Sequence, residues 1–387
     1  MTRIKFYSIA VLFSMIFGFS AAAQQKKMTA QFSVLPGLST NGDSAAVYTN
    51  NLSFNLFGGV NGGVKGFELG AFVNIINQDV EGMQIAGIAN VVQGKSRALQ
   101  TAGIVNVNKR NFDGMQVAGI VNIADSNVIG MQAAGIFNVT NNIYGMQITG
   151  ISSTAKNMYG MQVSGLGGIA DTITGLQVSG IINTSKSVTG MQVAGLVNKT
   201  GTLKGVQLGF INISEKVKGG VPIGFISFSR YGYKAIDVSY NEIFPATLSL
   251  KTGVNAFYNI FTGSSNFDEK EHLWSVGYGF GSRFNMTKHS FIEFEAIASQ
   301  LSKNQFEEEW NILGRFNMNF AVELGGFAEI YAGPSLNVYA TQVFNADTKT
   351  FGYDIAPANV FYSELFLDLD KPTYVQAWVG AQVGIRF

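Results

Sequence analysis

The chain has 387 residues, of which 47% are hydrophobic, 12% aromatic and only 13% charged, with a formal net charge of +1 and no cysteine. A soluble domain carries about 25% charged residues, so about half the usual charge is missing, while 31 Phe and 14 Tyr exclude a disordered chain. The absent cysteine excludes disulfides and thiolate metal sites, and a near-neutral charge gives no reason to expect nucleic acid as a partner.

Residues 1–23 read as a secretory signal peptide: Arg3 and Lys5 form a basic start, residues 9–19 a mostly apolar run, and Ala21-Ala22-Ala23 a small-residue end. That run is shorter than the about 20 residues a spanning helix needs. Every later apolar run is broken by Gly, Gln, Asn or Ser within a few residues. A membrane-integral mature chain must therefore cross with strands closed into a barrel, since only helices and barrels satisfy all backbone groups in lipid. An N-terminal strand segment follows at 24–65.

Residues 66–228 hold one unit repeated eleven times. Gly82-Met83-Gln84-Ile85-Ala86-Gly87-Ile88-Ala89-Asn90 recurs as Gly114-Met115-Gln116-Val117-Ala118-Gly119-Ile120-Val121-Asn122. Gln84, Gln100, Gln116 and Gln132 are spaced by 16, and Gln147, Gln162, Gln177, Gln192 and Gln207 follow at 15. Glu68 and Pro222 hold the same position at the two ends. The residues flanking the glutamine are apolar, while the other parity carries Gly, Gln, Ala or Ser, and Asn, which is the pattern of a strand with one apolar and one amide face. Polar groups such as Asp125-Ser126-Asn127 and Ser185-Lys186-Ser187 read as turns, so each unit predicts one strand of about 10 residues and a tight turn.

Two all-β architectures accept this unit. In an antiparallel meander the strands form a transmembrane β-barrel, which accounts for the low charge and the apolar face. In a β-solenoid each unit is one coil, which accounts for the strict Gln and Asn identity as stacked ladders. The C-terminal segment, 229–387, favours the barrel. There Trp274, Val276, Tyr278 and Phe280 alternate with Ser and Gly, and Val375, Ala377, Val379, Ala381, Val383, Ile385 and Phe387 share one face.

This segment resembles a bacterial outer-membrane β-barrel, and by that resemblance Phe387 would be part of the signal read by the barrel assembly machinery. The repeats, with the opening Phe32-Ser33-Val34-Leu35-Pro36-Gly37 and Asn51-Leu52-Ser53-Phe54-Asn55, resemble the exported surface-repeat-containing proteins of Bacteroidota and spirochaetes. That resemblance implies export and an envelope location but little chemistry.

Catalytic groups are scarce. His272 and His289 lie in separate loops, Glu293 and Glu295 read as polar residues facing a barrel lumen, and the glycines of 277–281 lack the helix a phosphate loop requires. The expectation is a non-enzymatic outer-membrane β-barrel of roughly 18–20 strands with an aqueous lumen, without cofactor or metal. Gln84, Gln116, Gln147, Gln177, Asn122 and Asn198 would line that lumen, with Glu293, Arg315 and Arg386 further along. Outer-membrane lipid and the assembly machinery are its expected partners. Its function would be a weakly selective pore for small solutes or a structural envelope role. The alternative is a surface-exposed repeat solenoid, with a smaller C-terminal barrel, acting in adhesion or cell-envelope interaction.

Overall fold

The computed structural model describes residues 26–269, 271–345, 349–357, 360–367 and 371–387, so the signal peptide expected at 1–23 lies outside the described residues. The chain divides into two compact units, Met1–Gly135 and Ile136–Phe387.

In the first unit the strands Lys27–Leu35, Thr49–Asn55, Gly63–Gly70, Val80–Ala86, Ser96–Ala102 and Phe112–Ala118 pair in parallel, each with the next, and the end of Val121–Ala134 continues the row. A second parallel row contains Gly58–Asn61, Val73–Ile76, Ala89–Val92, Val105–Asn108 and the start of Val121–Ala134. Each coil gives one strand to each row and turns between them at a Gly-Ile corner, as at Gly87-Ile88 and Gly103-Ile104. The stacking begins at Lys27, ahead of the recognisable repeat.

The second unit opens with the same arrangement. Phe137–Thr149, Ser152–Ser164, Gly167–Ser179, Ile182–Ala194 and Val197–Leu208 pair in parallel with Gln over Gln, and Ile211–Val217, Val221–Ile223 and Ile226–Ser229 complete the last coil. The repeats are therefore solenoid-like coils and not the hairpins of an antiparallel meander. In a meander the register reverses at every turn, so identical positions do not stay opposite one another. Parallel in-register pairing keeps them together. The expected turn at Asp125-Ser126-Asn127 is extended backbone within Val121–Ala134, and the chain bends instead at the glycine corners inside the predicted strands.

The glycine two residues before most of the repeat glutamines is demanded by the backbone. Gly82, Gly114, Gly130, Gly145, Gly160, Gly175, Gly190 and Gly205 have φ between +121° and +141°, where a side chain is strained; in the Gln100 coil Ala98 holds the position. A Cβ on Gly175 would also overlap the carbonyl oxygen of Gly160 in the preceding coil.

After the coils, the strands Tyr233–Asn241, Ala246–Val254, Phe257–Ser265, Leu273–Asn285, Ser290–Lys303, Asn311–Leu324, Ala328–Thr341 and Thr373–Arg386 form an antiparallel barrel of 8 strands. The barrel closes where Tyr233–Asn241 pairs with Thr373–Arg386, Val238 opposite Ile385. Tight turns at 255–256, 286–289 and 325–327 join the strands at one end. The other end carries 266–272, 304–310 and the long connection 342–372, which contains the strand Tyr362–Phe366 along the edge of Thr373–Arg386. Strand alternation sends Ile236, Val238, Leu248, Leu250, Val276, Phe280, Phe316, Phe320, Val338, Val379 and Val383 outward, all exposed. An eight-stranded barrel has an interior just wide enough for side chains to fill, so the wide aqueous lumen expected from 18–20 strands has no counterpart.

Gly175→Ala is expected to destabilise the repeat stack by at least about 2 kcal/mol, from the strained φ and the carbonyl overlap. A denaturant titration followed by far-ultraviolet circular dichroism measures this, and an unchanged midpoint would contradict the packing described.

Candidate functional site

Two polar interiors stand out, one in the coils and one in the barrel. In the coils, strand alternation puts the repeat's glutamine and asparagine inside, where water does not reach, so each amide must find its partners within the stack. In the first unit Gln100 Nε2 donates to Gln84 Oε1 (2.6 Å), Gln116 to Gln100 (3.0 Å) and Gln132 to Gln116 (2.8 Å). In the second, Gln162, Gln177, Gln192 and Gln207 each donate one coil back at 2.7–2.9 Å. The asparagines run the opposite way: Asn74 donates to Asn90, Asn90 to Asn106 and Asn106 to Asn122, each at 2.9 Å. In the second unit Asn183 donates to Asn198 (3.1 Å) and Asn198 to Asn212 (3.0 Å). Most of these asparagines also give a proton to a backbone carbonyl of the next coil, as Asn122 does to Ala133 (2.7 Å) and Asn198 to Leu208 (2.7 Å).

Gln84, Gln116, Gln147, Gln177, Asn122 and Asn198, expected to line a barrel lumen, are thus fully buried inside the coils. The glutamines pair with other glutamines, so these side chains face each other and no channel. Several places break the pattern. Ser153, Gly168 and Ser227 stand in the asparagine column; at Gly168 no amide donates to Asn183 Oδ1, which has no partner, and Pro222 stands opposite Gln207, whose Oε1 is likewise open.

Glu68 occupies the glutamine position at the first repeat and is fully buried. Its oxygens accept from Gln84 Nε2 (2.7 Å), Asn55 Nδ2 (3.0 Å) and Asn61 Nδ2 (2.6 Å). Desolvation pushes the carboxyl up to about 7 from 4.5, against the opposing pull of those donors.

In the barrel, Glu293, Arg315 and Arg386, expected to line an aqueous lumen, are buried in the interior and belong to a larger polar network. Arg386 Nε meets Asp237 Oδ1 (2.8 Å), while its two terminal nitrogens reach Glu293 (2.5 and 2.8 Å) and one of them also Glu329 (3.2 Å). Lys251 Nζ bridges Asp237 (2.6 Å) and Glu295 (2.5 Å), and Arg283 forks onto Glu329 (2.5 and 2.9 Å). Tyr258 donates to Glu295 (2.8 Å), and Arg315 donates to Gln382 (3.0 Å), which in turn donates to Asn319 (2.7 Å). Four cations, Lys251, Arg283, Arg315 and Arg386, face four carboxylates, Asp237, Glu293, Glu295 and Glu329. Glu293 and Glu295 are therefore held as counter-ions. Towards the long connections, Phe244, Leu301, Leu313, Tyr339 and Trp378 form an apolar plug, tied down where Trp378 Nε1 and Asn337 Nδ2 donate to Glu242 (3.1 and 2.7 Å). A cavity of about 20 Å³ lies beside Ser249, Lys251 and Glu295, room for about one water.

Asp237, Lys251, Arg283 and Glu329 were not anticipated from the sequence. Their signal is a single charge on the polar parity of an otherwise apolar strand, as in Ile236-Asp237-Val238 and Leu250-Lys251-Thr252. Phe387 is exposed at the closing seam, its backbone paired with Ile236 (3.0 and 3.1 Å).

Because the folded-state pKa of Glu68 is raised, the stability linked to it is fully present below about pH 4.5 and is lost as pH rises through about 7. The loss amounts to about 3 kcal/mol by pH 8. Glu68→Gln is expected to remove that part of the pH dependence, read as the difference in unfolding midpoints between pH 4 and pH 8. Gly168→Asn is expected to lower stability although Asn183 Oδ1 lacks a donor, because a Cβ there would meet Gln162 Oε1 and Gln177 Nε2 at 2.8 Å and Asn183 Oδ1 at 2.9 Å; a raised midpoint in a denaturant titration would mean that the ladder shifts to admit the amide.

Comparison of the chain with protein-family models, with curated proteins and with solved structures returned no match.

Proposed function

We propose that this chain is a non-enzymatic outer-membrane protein in which the eight-stranded barrel is the anchor and the repeat coils are the scaffold it holds at the cell envelope. The observation that carries this reading is the barrel's inverted polarity. Lys251, Arg283 and Arg386 are turned inward and paired with carboxylates, while the outer wall is an apolar band. In water such a wall would be an aggregation surface; in lipid it is the expected exterior. Aromatic side chains at both rims support the same placement. Tyr240 and Trp310 are exposed towards the long connections, and Phe327 and Phe387 towards the tight turns, the positions of interfacial girdles in membrane barrels.

The filled interior favours an anchor over a pore. A solute path would have to separate Arg386 from Asp237 and Glu293 and displace the Phe244–Trp378 plug. Removing one partner from such a buried ion network costs about 3–5 kcal/mol, so spontaneous opening is rare. The coils, with strand tied to strand within each unit by backbone hydrogen bonds and amide ladders, suit a stiff spacer or display element in adhesion or envelope structure.

The test is reconstitution of the full chain. Folded protein is expected to run faster unboiled than boiled on a denaturing gel, to resist extraction from vesicles by carbonate, and to give no conductance steps in planar bilayers. Discrete single-channel steps would overturn the anchor reading in favour of a pore. Release by carbonate would remove the membrane placement altogether.

A further inference from the structure

We infer that the junction between the last coil and the barrel is a docking surface for anionic phospholipid headgroups, an inference that rests on the membrane placement of the barrel. The last coil packs on the outer side of the barrel wall. Asn259 accepts from the backbone nitrogen of Ser227 (2.8 Å) and donates to Gly224 O (2.7 Å). Thr252 donates to Ser227 O (3.1 Å), and the Phe225 ring stacks on Tyr278 at 4.6 Å. Thr252 and Asn259 flank the tight turn at 255–256, so this contact lies at the tight-turn end of the barrel.

Six basic side chains gather on the neighbouring surface: Lys199, Lys204, Lys216, Lys218, Arg230 and Lys234, all exposed. Among the described residues none of the six has an ion-pair partner, and Glu215 is the one acid between Lys199 and Lys234. Strand pairing draws them together. Lys216 lies opposite Thr202, the backbone of Lys218 bonds to Leu203, and that of Arg230 bonds to Ser214. Aromatic rings are interleaved with the charges. Lys216 and Arg230 sit over Tyr231 at 5.3 and 5.5 Å, Lys234 over Phe228 at 5.7 Å, and Tyr231 is 65% exposed.

The height of this patch is what selects a lipid surface as its occupant. Lys234 points outward on the first barrel strand, directly below Ile236 and Val238, which begin the apolar band. The patch therefore stands where the band ends and headgroups begin. Exposed basic and aromatic side chains at that level take anionic lipid, each basic residue near the surface being worth about fivefold in binding. The apolar corner residues Leu166, Ile181, Leu196 and Phe210 lead from the coils to Phe225 and the barrel wall, all exposed, so the apolar surface is continuous with the band. The opposite end of the barrel is richer in acids, with Glu242, Asp268, Glu307 and Glu308 beside the pairs Glu271–Lys303 and Glu309–Lys371.

The test places the full chain in nanodiscs of equimolar phosphatidylglycerol and phosphatidylcholine and measures which lipid stays bound after gentle detergent exchange. Retained lipid is expected to be enriched at least about fivefold in phosphatidylglycerol, and 0.5 M salt, on the order of three times the physiological ionic strength, is expected to erase the enrichment. A variant carrying Lys216→Gln, Lys218→Gln and Arg230→Gln is expected to lose the preference while keeping the unboiled gel mobility of the folded barrel. An enrichment near one in the unmodified chain, or one unchanged in the variant, overturns the inference. Failure of the barrel to insert shows separately, as absence of the protein from the discs, and would strike the membrane placement instead.

Discussion

A buried primary amide must be given both a donor and an acceptor, and the repeat fold is organised around that requirement. A glutamine inside a strand stack can satisfy its neighbour only if another amide lies one strand spacing away, at about 4.8 Å. In-register parallel coils repeat that condition at every level. The two ladders have opposite polarity: glutamines donate towards the start of the chain and asparagines towards its end. A ladder that donates backward needs an acceptor at its first rung, and Glu68 is a residue that only accepts when ionised. Its burial raises the cost of that charge, so the first rung exchanges pH-independent stability for a complete set of acceptors. In the second unit, Pro222 supplies no donor and that unit's glutamine ladder stops with Gln207 Oε1 open.

The barrel solves the same problem with charges. Much of its interior is polar, but ion pairs largely replace amides, with Lys251, Arg283 and Arg386 against Asp237, Glu293, Glu295 and Glu329 in a space that strand number makes too narrow for bulk water. Both parts thus place polar groups inside and apolar groups outside, which accounts for the composition. Much of the charge is confined to the barrel interior, the loops and a few columns on the coils such as Lys65, Glu81, Arg97 and Asp113, and most outward strand positions are left to Val, Ile, Leu, Met and Phe. A total of 13% charged residues is what remains once no outer strand face has to be soluble by charge.

Much of this was legible in the sequence, and the part that was not has a physical cause. Period-2 alternation identifies strands, their parity and their inward face, and it did so for Gln84 as for Arg386. Alternation carries no information about pairing direction, because a strand presents the same two faces to a parallel or an antiparallel neighbour. The discriminating feature was the identity of the residue at a fixed spacing. Hydrophobic packing tolerates any apolar residue, whereas an amide ladder tolerates few substitutes, so the nine glutamines in register from Gln84 to Gln207 could not have been set by packing alone, and neither could the asparagines. The glycine corners were misassigned because a glycine inside an alternating run reads as a weak strand position. In the folded chain, Gly87 and Gly103 allow two coils to approach closely at the bend. Barrel closure was illegible for another reason. Strand count depends on where pairing returns to the first strand, and the pairing of Val238 with Ile385 is a contact across nearly the whole C-terminal segment.

Repetition creates a hazard as well as a scaffold. Near-identical coils can stack one step out of place with little loss, since Gln still meets Gln and Asn still meets Asn. The surface of the first unit carries features that resist such a slip. Lys65, Glu81, Arg97 and Asp113 occupy one column with alternating sign, and Lys65–Glu81 and Arg97–Asp113 approach to 3.7 and 3.6 Å. In the second unit Lys186 meets Asp171 (2.9 Å), and the Tyr144 and Tyr159 rings stack at 4.8 Å. Exposed pairs of this kind contribute at most about 1 kcal/mol each to stability, too little to explain their placement. Skipping one coil, however, sets Lys65 against Arg97 and Glu81 against Asp113, replacing attraction by repulsion at every step. Their contribution is to register, which the amide ladders, being uniform, are unable to specify.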